Sequence, residues 1–167
     1  MLKKLGLDIS LGKTQKATTE EGFEFLGIDL SNGFIRPSKN AQDRLRALIE
    51  SILTESETAF REHKKTEQIL NQFCLLESLK KVSGVMQGWG KHYWFCNDKK
   101  CFERLDQEVA LRVRKYLAVY RDERDKTDET GWWRLLGIES LAQIERDPFC
   151  WPKKNRELSK LMKAAIP

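Results

Sequence analysis

One short stretch of the sequence combines aromatic and basic side chains at close spacing. It contains Trp89, Lys91, His92, Tyr93 and Trp94. Aromatic rings offer flat faces for nucleobases or sugars, and Lys91 and His92 are suited to contact phosphate. The spacing of the three rings also places them on one side of a helix, so core packing is the alternative. The stretch is therefore a candidate binding surface or a part of the core.

Complete catalytic sets are not found in the sequence. No paired acids in a strand or turn are suited to hold two metal ions. Residues 12–14, Gly-Lys-Thr, show only the end of a phosphate-binding loop. The sequence has two histidines, which leaves little room for a catalytic nucleophile activated by a histidine base. From these residues the chain is a binding module that holds no metal or cofactor.

The four cysteines do not form a disulfide framework. Cys96 and Cys101 lie close together, and a zinc site can be written from them with His92 and the distant Cys150. Structural zinc sites usually take two close ligand pairs, so the simpler interpretation is reduced thiols. Cys74, among apolar neighbours, is expected to behave as a small buried hydrophobe.

Composition indicates a folded, basic chain of 167 residues. There are 30 Lys and Arg against 25 Asp and Glu, a net charge of +5, and 40% of the residues are hydrophobic. No uncharged stretch is long enough for a membrane span, and no signal-peptide core follows the start. We therefore expect a cytoplasmic protein without a membrane partner. A basic balance favours a polyanion such as nucleic acid, and an ordinary solvated surface is the alternative.

Residues 23–37 are predicted to form a β-hairpin. Asn32-Gly33 is a strong signal for a tight turn, because that turn needs positive φ at both central residues. Gly27, inside the first strand, suggests a bulge or a close backbone approach. Pro37 is expected to end the second strand.

Three helices are predicted after the hairpin. Ser38 or Asn40 can cap the first, residues 56–65 are polar enough to be a connection or a frayed end, and the second starts near Thr66. Asn97-Asp98 can cap the third, and residues 121–129 are a charge run expected in a solvated helix end or loop. Three glycines weaken the second helix, which suggests close packing against something; they are Gly84, Gly88 and Gly90.

Four segments, taken in order, resemble one family. Residues 5–14 resemble the Leu-Gly-Leu…Lys-Thr segment late in the palm of reverse transcriptases. Residues 22–28 resemble the Phe-Leu-Gly primer-grip hairpin, and residues 35–38 resemble the start of the thumb. Residues 88–93, with Phe102 and Leu105 downstream, resemble the Gly-Trp-x-x-Tyr signature of the group II intron maturase region. Residues 1 to about 125 therefore resemble the C-terminal part of a group II intron-like reverse transcriptase and maturase.

The resemblance implies roles for particular residues. Lys13 would match the palm lysine near the phosphates of the incoming nucleotide. Phe25, Leu26 and Gly27 would match the turn that holds the primer 3′ end, where glycine lets the backbone approach nucleic acid. The helices would grip template–primer duplex or intron RNA, with a set of basic candidates: Arg44, Arg46, Lys80, Lys81 and Lys91.

One departure from the family affects the expected activity. The catalytic Tyr-x-Asp-Asp motif and the earlier metal-binding Asp do not occur in the sequence and would lie upstream of Met1. Because phosphoryl transfer depends on metals held by such carboxylates, this chain alone should not polymerise DNA. Mg²⁺ is expected for the full-length parent enzyme. The expected partners are RNA or RNA–DNA duplex and, as a further candidate, the missing palm and fingers.

The predicted fold is mainly α, with an N-terminal β-hairpin as a palm remnant followed by a thumb-like helical bundle. Residues 1–37 would be the end of the palm, residues 38–125 the thumb and maturase-type helices, and residues 126–167 an aromatic and basic extension. The predicted function is nucleic-acid binding within an RNA-directed DNA polymerase. Two alternatives remain, a stand-alone maturase-like RNA-binding protein and a helical protein-interaction domain.

Overall fold

The fold is mainly α with a small N-terminal antiparallel sheet, as predicted. The computed structural model describes residues 20–66, 68–141 and 144. A three-stranded sheet is followed by four α-helices and one short 3₁₀ helix. The elements in chain order are β1 (Phe23–Phe25), β2 (Ile28–Ser31), β3 (Phe34–Pro37), α1 (Lys39–Thr66), the 3₁₀ helix (Asn71–Phe73), α2 (Leu75–His92), α3 (Lys99–Asp125) and α4 (Glu129–Leu136).

Two tight turns make the sheet a meander with the order β1-β2-β3. The Asn32-Gly33 turn is confirmed, with φ of 50° and 76°. The prediction of one long first strand was wrong, because Leu26 and Gly27 form a second turn with φ of 50° and 79°. Gly27 is therefore a turn residue and not a bulge, and the predicted strand is divided into β1 and β2.

Helix α1 is longer than predicted. Residues 56–65, expected as a connection or a frayed end, continue the helix to Thr66. The reason is that its inward stripe continues through buried polar as well as apolar side chains, including Phe60 and His63. The Ser38 hydroxyl accepts a hydrogen bond from the Ala41 amide at 3.3 Å, so Ser38 caps the helix. Of the two predicted caps, Ser38 and Asn40, the first is therefore confirmed.

Helix α2 begins later than predicted, at Leu75 instead of near Thr66. The 3₁₀ helix precedes it and is held against the bundle by one buried hydroxyl group. Ser56 donates to the carbonyl of Phe73 at 2.6 Å, and its hydroxyl lies 2.8 Å from that of Tyr116 on α3. These bonds satisfy backbone that a continuous helix would have satisfied internally.

The core lies between α1, α2 and α3, and α4 adds one leucine. Phe60 stacks on Tyr116 with ring centroids 5.6 Å apart and meets Tyr120 edge-on at 5.8 Å. Cys74 is buried, as predicted. The main core cluster consists of Leu45, Ile49, Leu53, Phe60, Leu75, Val82, Cys101, Leu105, Tyr116, Tyr120 and Leu135.

The connection between α2 and α3 fastens the sheet to the helices. Asn97 pairs with the outer edge of β3, since its side-chain Oδ1 accepts from the Ile35 backbone N–H at 2.7 Å and its own backbone N–H donates to the Ile35 carbonyl at 2.9 Å. Asp98 caps α3 by accepting from the Cys101 amide at 3.1 Å, as predicted, and also receives a hydrogen bond from Arg36. The sheet is thereby held beside the C-terminal end of α2.

The segment after α3 turns sharply into α4. The predicted charge run is helical up to Asp125, and Asp128 then caps α4 by accepting from the Gly131 amide at 2.8 Å. Gly137 ends α4 in the left-handed conformation, with φ of 82°. Across the described ranges, no helix combines the length and apolarity needed to cross a bilayer.

Candidate nucleic-acid interface

A groove of about 670 Å³ lies where the β1–β2 turn, the start of α1 and the second half of α2 meet. We call it the α1–α2 groove. The sheet forms one wall of the groove, and Asn97 and Asp98 hold that sheet in place. The packing of α1 against α2 sets the width of the groove. The residues of its lining that bear on binding are Glu24, Leu26, Gly27, Arg44, Leu48, Gly84, Gly88, Trp89, His92 and Tyr93.

Six of the predicted site residues line this groove although they come from three separate segments. The turn contributes two, α1 contributes one, and α2 with its C-terminal cap contributes three. They are Leu26, Gly27, Arg44, Trp89, His92 and Tyr93. Sequence separation gave no indication that these segments meet in space.

The aromatic residues are divided between the core and the surface. Trp89 is half-buried and packs against Tyr93 at 4.6 Å and Phe102 at 5.9 Å between ring centroids. Tyr93 is only 7% exposed, which agrees with the core alternative for this ring. Trp94 is 80% exposed, so core packing is wrong for it. Trp89 is thus the ring that is both fixed by packing and open to the groove.

The Tyr93 hydroxyl stays protonated at neutral pH. Burial raises the pKa of the Tyr93 phenol, and Arg44 opposes this rise only in part. The hydroxyl oxygen also lies close to Gly27, 3.5 Å from where a β-carbon at that position would be. A neutral phenol at this point can donate as well as accept a hydrogen bond.

Two arginines of α1 that are close in sequence have different surroundings. Arg44 is exposed in the groove and makes no hydrogen bond or ion pair with any residue that the structure describes. Arg46 instead bonds Glu108 of α3 and Asp43, each at 2.7 Å. These bonds raise the pKa of Arg46, chiefly through Glu108. Arg44 is therefore available to an anion, whereas Arg46 holds α1 to α3.

The two predicted lysines at the start of α2 do not reach the groove. Lys80 donates to Glu77 at 2.6 Å, and this bond raises the pKa of Lys80. Lys81 donates to the Gln72 carbonyl at 2.7 Å and lies 5.5 Å from the Phe73 ring centroid. Both ammonium groups are exposed but already have local partners.

Three other predicted residues lie outside the groove lining. Lys91 is exposed on α2 near the groove, and Phe25 is exposed at the end of β1. Lys13, predicted from the resemblance as a nucleotide contact, lies outside the described residues.

The helical glycines correct one expectation and reveal part of the site. Close packing against Gly84, Gly88 and Gly90 was predicted, but a β-carbon at each would have no described atom within 4 Å. Gly84 and Gly88, four residues apart, form a flat strip on the α2 side of the groove. Leu48, which recurs with Leu45 and Ile49 at the three- and four-residue spacing of an apolar helix face, was not among the predicted site residues, yet it is exposed in the groove.

The alternative zinc site is not assembled in the described part of the chain. No group of three or more His, Cys, Asp or Glu side chains there is arranged to hold a metal ion. Burial raises the pKa of both Cys96 and Cys101, so each thiol is held away from the thiolate form that binds zinc. Cys150, the fourth ligand in that hypothesis, lies outside the described residues.

Comparison of the chain with family profiles, with curated proteins and with solved structures gave no match.

Proposed function

We propose that the chain is the C-terminal, nucleic-acid-binding portion of a group II intron-like reverse transcriptase and maturase. In this role the α1–α2 groove positions primer–template or intron RNA. The observation that carries the proposal is the convergence of three segments that resemble the family. The hairpin turn, the helix after it and the aromatic and basic stretch all line one groove.

The groove lining has the chemistry that such binding needs. The unpaired guanidinium of Arg44 can donate two parallel hydrogen bonds to a phosphate. The exposed Leu26 and the glycine after it form a turn where backbone and sugar can approach closely. Trp89 offers an indole whose orientation is already fixed by Tyr93 and Phe102.

The proposed role is binding and positioning rather than bond making. In the parent enzyme, phosphoryl transfer would be carried out by the Tyr-x-Asp-Asp carboxylates with Mg²⁺, and that motif is not in this sequence. What this chain contributes is an anion contact at Arg44 and a shaped surface beside it.

Fluorescence anisotropy at low ionic strength tests the proposal. The probes are a labelled RNA template with an annealed DNA primer and a labelled structured RNA. Arg44→Ala should weaken binding about tenfold, since it removes one charge-assisted contact. Arg114→Ala is the matched control, because it removes the same charge from an exposed residue of α3 that does not line the groove.

Each outcome discriminates between functions. Absence of binding to either probe would reject the proposal and favour a helical protein-interaction domain. Binding to structured RNA without binding to primer–template would favour the stand-alone RNA-binding protein. An equal loss for both arginine variants would show attraction by overall charge and would remove the groove from the proposal.

A further inference from the structure

We infer that the α1–α2 groove accepts one unstacked nucleotide, from the single-stranded part or a bulge of the bound nucleic acid, and that the paired part of a primer–template or intron RNA stays outside the groove. This inference rests on the proposed function and makes its ligand more specific. It is carried by the size of the groove, by the bare surface of α2 inside it, and by the small number of free charges around it.

The dimensions of the groove suit a ligand of nucleotide size. Its volume of about 670 Å³ lies within the usual range of pockets for small molecules. The exposed Leu26 of the β1–β2 turn and the exposed Leu48 of α1 both line the groove. A base and its sugar can enter between two such side chains, whereas a helical duplex is far too wide to enter and could only lie across the top.

The α2 side of the groove carries no side chains at Gly84 and Gly88, and no contact among the described residues requires glycine there. Gly84 and Gly88 disfavour a helix relative to almost any other residue. A β-carbon at either position would meet no described atom within 4 Å, so packing inside the described fold does not require glycine there. The bare strip lies beside Trp89 and opposite Arg44 of α1, so a flat ring placed on it is close to an indole and a guanidinium.

The charges around the groove fit one phosphate better than a row of them. Duplex-binding proteins commonly neutralise many phosphates, and their affinity falls steeply with salt. Here Arg44 is the one unpaired arginine or lysine in the described lining, and Lys91 lies outside it. Glu24 also lines the groove, where its carboxylate would repel a second phosphate and accept a hydrogen bond from a base amino group.

The energetic consequence is binding that depends on stacking more than on charge. Stacking of one base on an aromatic side chain raises affinity by about tenfold or more. Neutralising one or two phosphates of a single strand gives a slope of log affinity against log salt of about −1. A protein that grips a duplex through many phosphates would instead show a slope several times steeper.

The decisive variant fills the groove without disturbing the fold. Gly88→Leu places a bulky side chain on the bare strip, and its β-carbon would have no described atom within 4 Å, so the backbone can accept the substitution at that point. Because leucine is a far better helix former than glycine, the melting temperature should rise by about 2–4 °C. Gly90→Leu is the matched control on the same helix, since it is equally unobstructed and does not line the groove.

Binding of the full chain is measured by anisotropy with three RNAs: an unstructured single strand, a fully paired duplex and the same duplex with one bulged nucleotide. We expect the single strand and the bulged duplex to bind at least about tenfold more tightly than the paired duplex. Gly88→Leu should remove that preference, and Gly90→Leu should keep it. If Gly88→Leu lowers the melting temperature instead of raising it, Gly84→Leu, one turn earlier, replaces it.

The inference and the proposed function fail in different ways. Equal affinity for all three RNAs, or a Gly88→Leu chain that binds as the unchanged protein does, would overturn the single-nucleotide site and leave nucleic-acid binding intact. No binding to any of the RNAs would overturn both.

Discussion

Replacing Arg112 by methionine should lower the free energy of unfolding by about 2–3 kcal/mol. Arg112 lies on α3 and bonds two carboxylates of α1, Glu50 at 2.6 Å and Glu57 at 2.7 Å. These bonds join the two longest helices of the fold, and both helices contribute to the core. Methionine keeps much of the apolar stem but removes the guanidinium.

The magnitude depends mainly on Glu57. Its side chain is only 12% exposed, and leaving a fully buried carboxylate without its partner costs about 3–5 kcal/mol. The cost is smaller here because some water reaches Glu57 and because Arg61 lies 3.7 Å away as a weaker partner. Glu50 is 56% exposed, so loss of its bond with Arg112 adds at most about 1 kcal/mol to the destabilisation. For a chain of this length the melting temperature should fall by about 4–12 °C.

Thermal and urea unfolding, followed by circular dichroism, can measure this loss. A double-mutant cycle compares Arg112→Met, Glu57→Gln and the double variant with the unchanged protein. Arg114→Met is the exposed control, and its free energy of unfolding should stay within about 0.5 kcal/mol of that of the unchanged protein. Neutral glutamine needs no cation, so the double variant should be at least about 1 kcal/mol more stable than the sum of the single losses predicts. Additive losses, or a loss below about 0.5 kcal/mol for Arg112→Met, would refute this account.

The same variant has a pH dependence with a definite sign. The hydrogen bond from Arg112 lowers the pKa of Glu50 below its usual value. Stability from that bond is therefore present above the ordinary glutamate pKa and is lost as pH falls through the lowered folded pKa. The stability gap between the unchanged protein and Arg112→Met should narrow in acid. A gap that widens below pH ~4 would contradict the assignment.

Two further substitutions test contacts between elements around the core. Gly137→Ala should cost more than about 2 kcal/mol by denaturant unfolding, because φ is 82° and the new β-carbon would lie 2.1 Å from Cys74 Sγ; a loss under about 0.5 kcal/mol would be inconsistent with this packing. Tyr116→Phe should cost about 1 kcal/mol through loss of the hydroxyl contact with Ser56, and a variant as stable as the unchanged protein would show that this contact contributes nothing.

Local chemistry made several elements predictable from sequence. The Asn32-Gly33 turn and the Asp98 cap depend on side chains acting on backbone only a few residues away. Such signals do not need the rest of the fold to be known. The start of α1 at Ser38 belongs to the same class, because its hydroxyl meets the amide of Ala41 three residues later.

The failed predictions concern structure that is specified by distant contacts. Residues 56–65 looked too polar for a buried helix, yet Ser56 and His63 are buried with partners for their polar atoms. The Ser56 hydroxyl is satisfied by Phe73 and Tyr116, which lie 17 and 60 residues away. No pattern of apolar residues within the helix contains that information, so the hydrophobic period underestimated the length of α1.

The basic residues at the candidate site also depend on contacts that are distant in sequence. Arg44 and Arg46 are equivalent in sequence, and both were predicted to contact nucleic acid. Two residues along an α-helix are about 200° apart around its axis, so the two side chains leave in nearly opposite directions. One direction leads to the groove and the other to Glu108 on α3. The count of basic residues therefore overstated the positive charge that is free to meet a phosphate.

That difference changes what kind of ligand the chain suits. A net charge of +5 by itself favours a polyanion held by many weak contacts. In the folded chain, Arg46, Arg104 and Arg112 make bonds to other residues of the bundle, while the groove combines a single free guanidinium with an indole and a bare helical strip. Charges used in this way stabilise the bundle rather than attract a duplex. Selectivity should then come from shape and stacking in the groove, and for this reason filling the groove at Gly88 is a stronger test than removing any surface lysine.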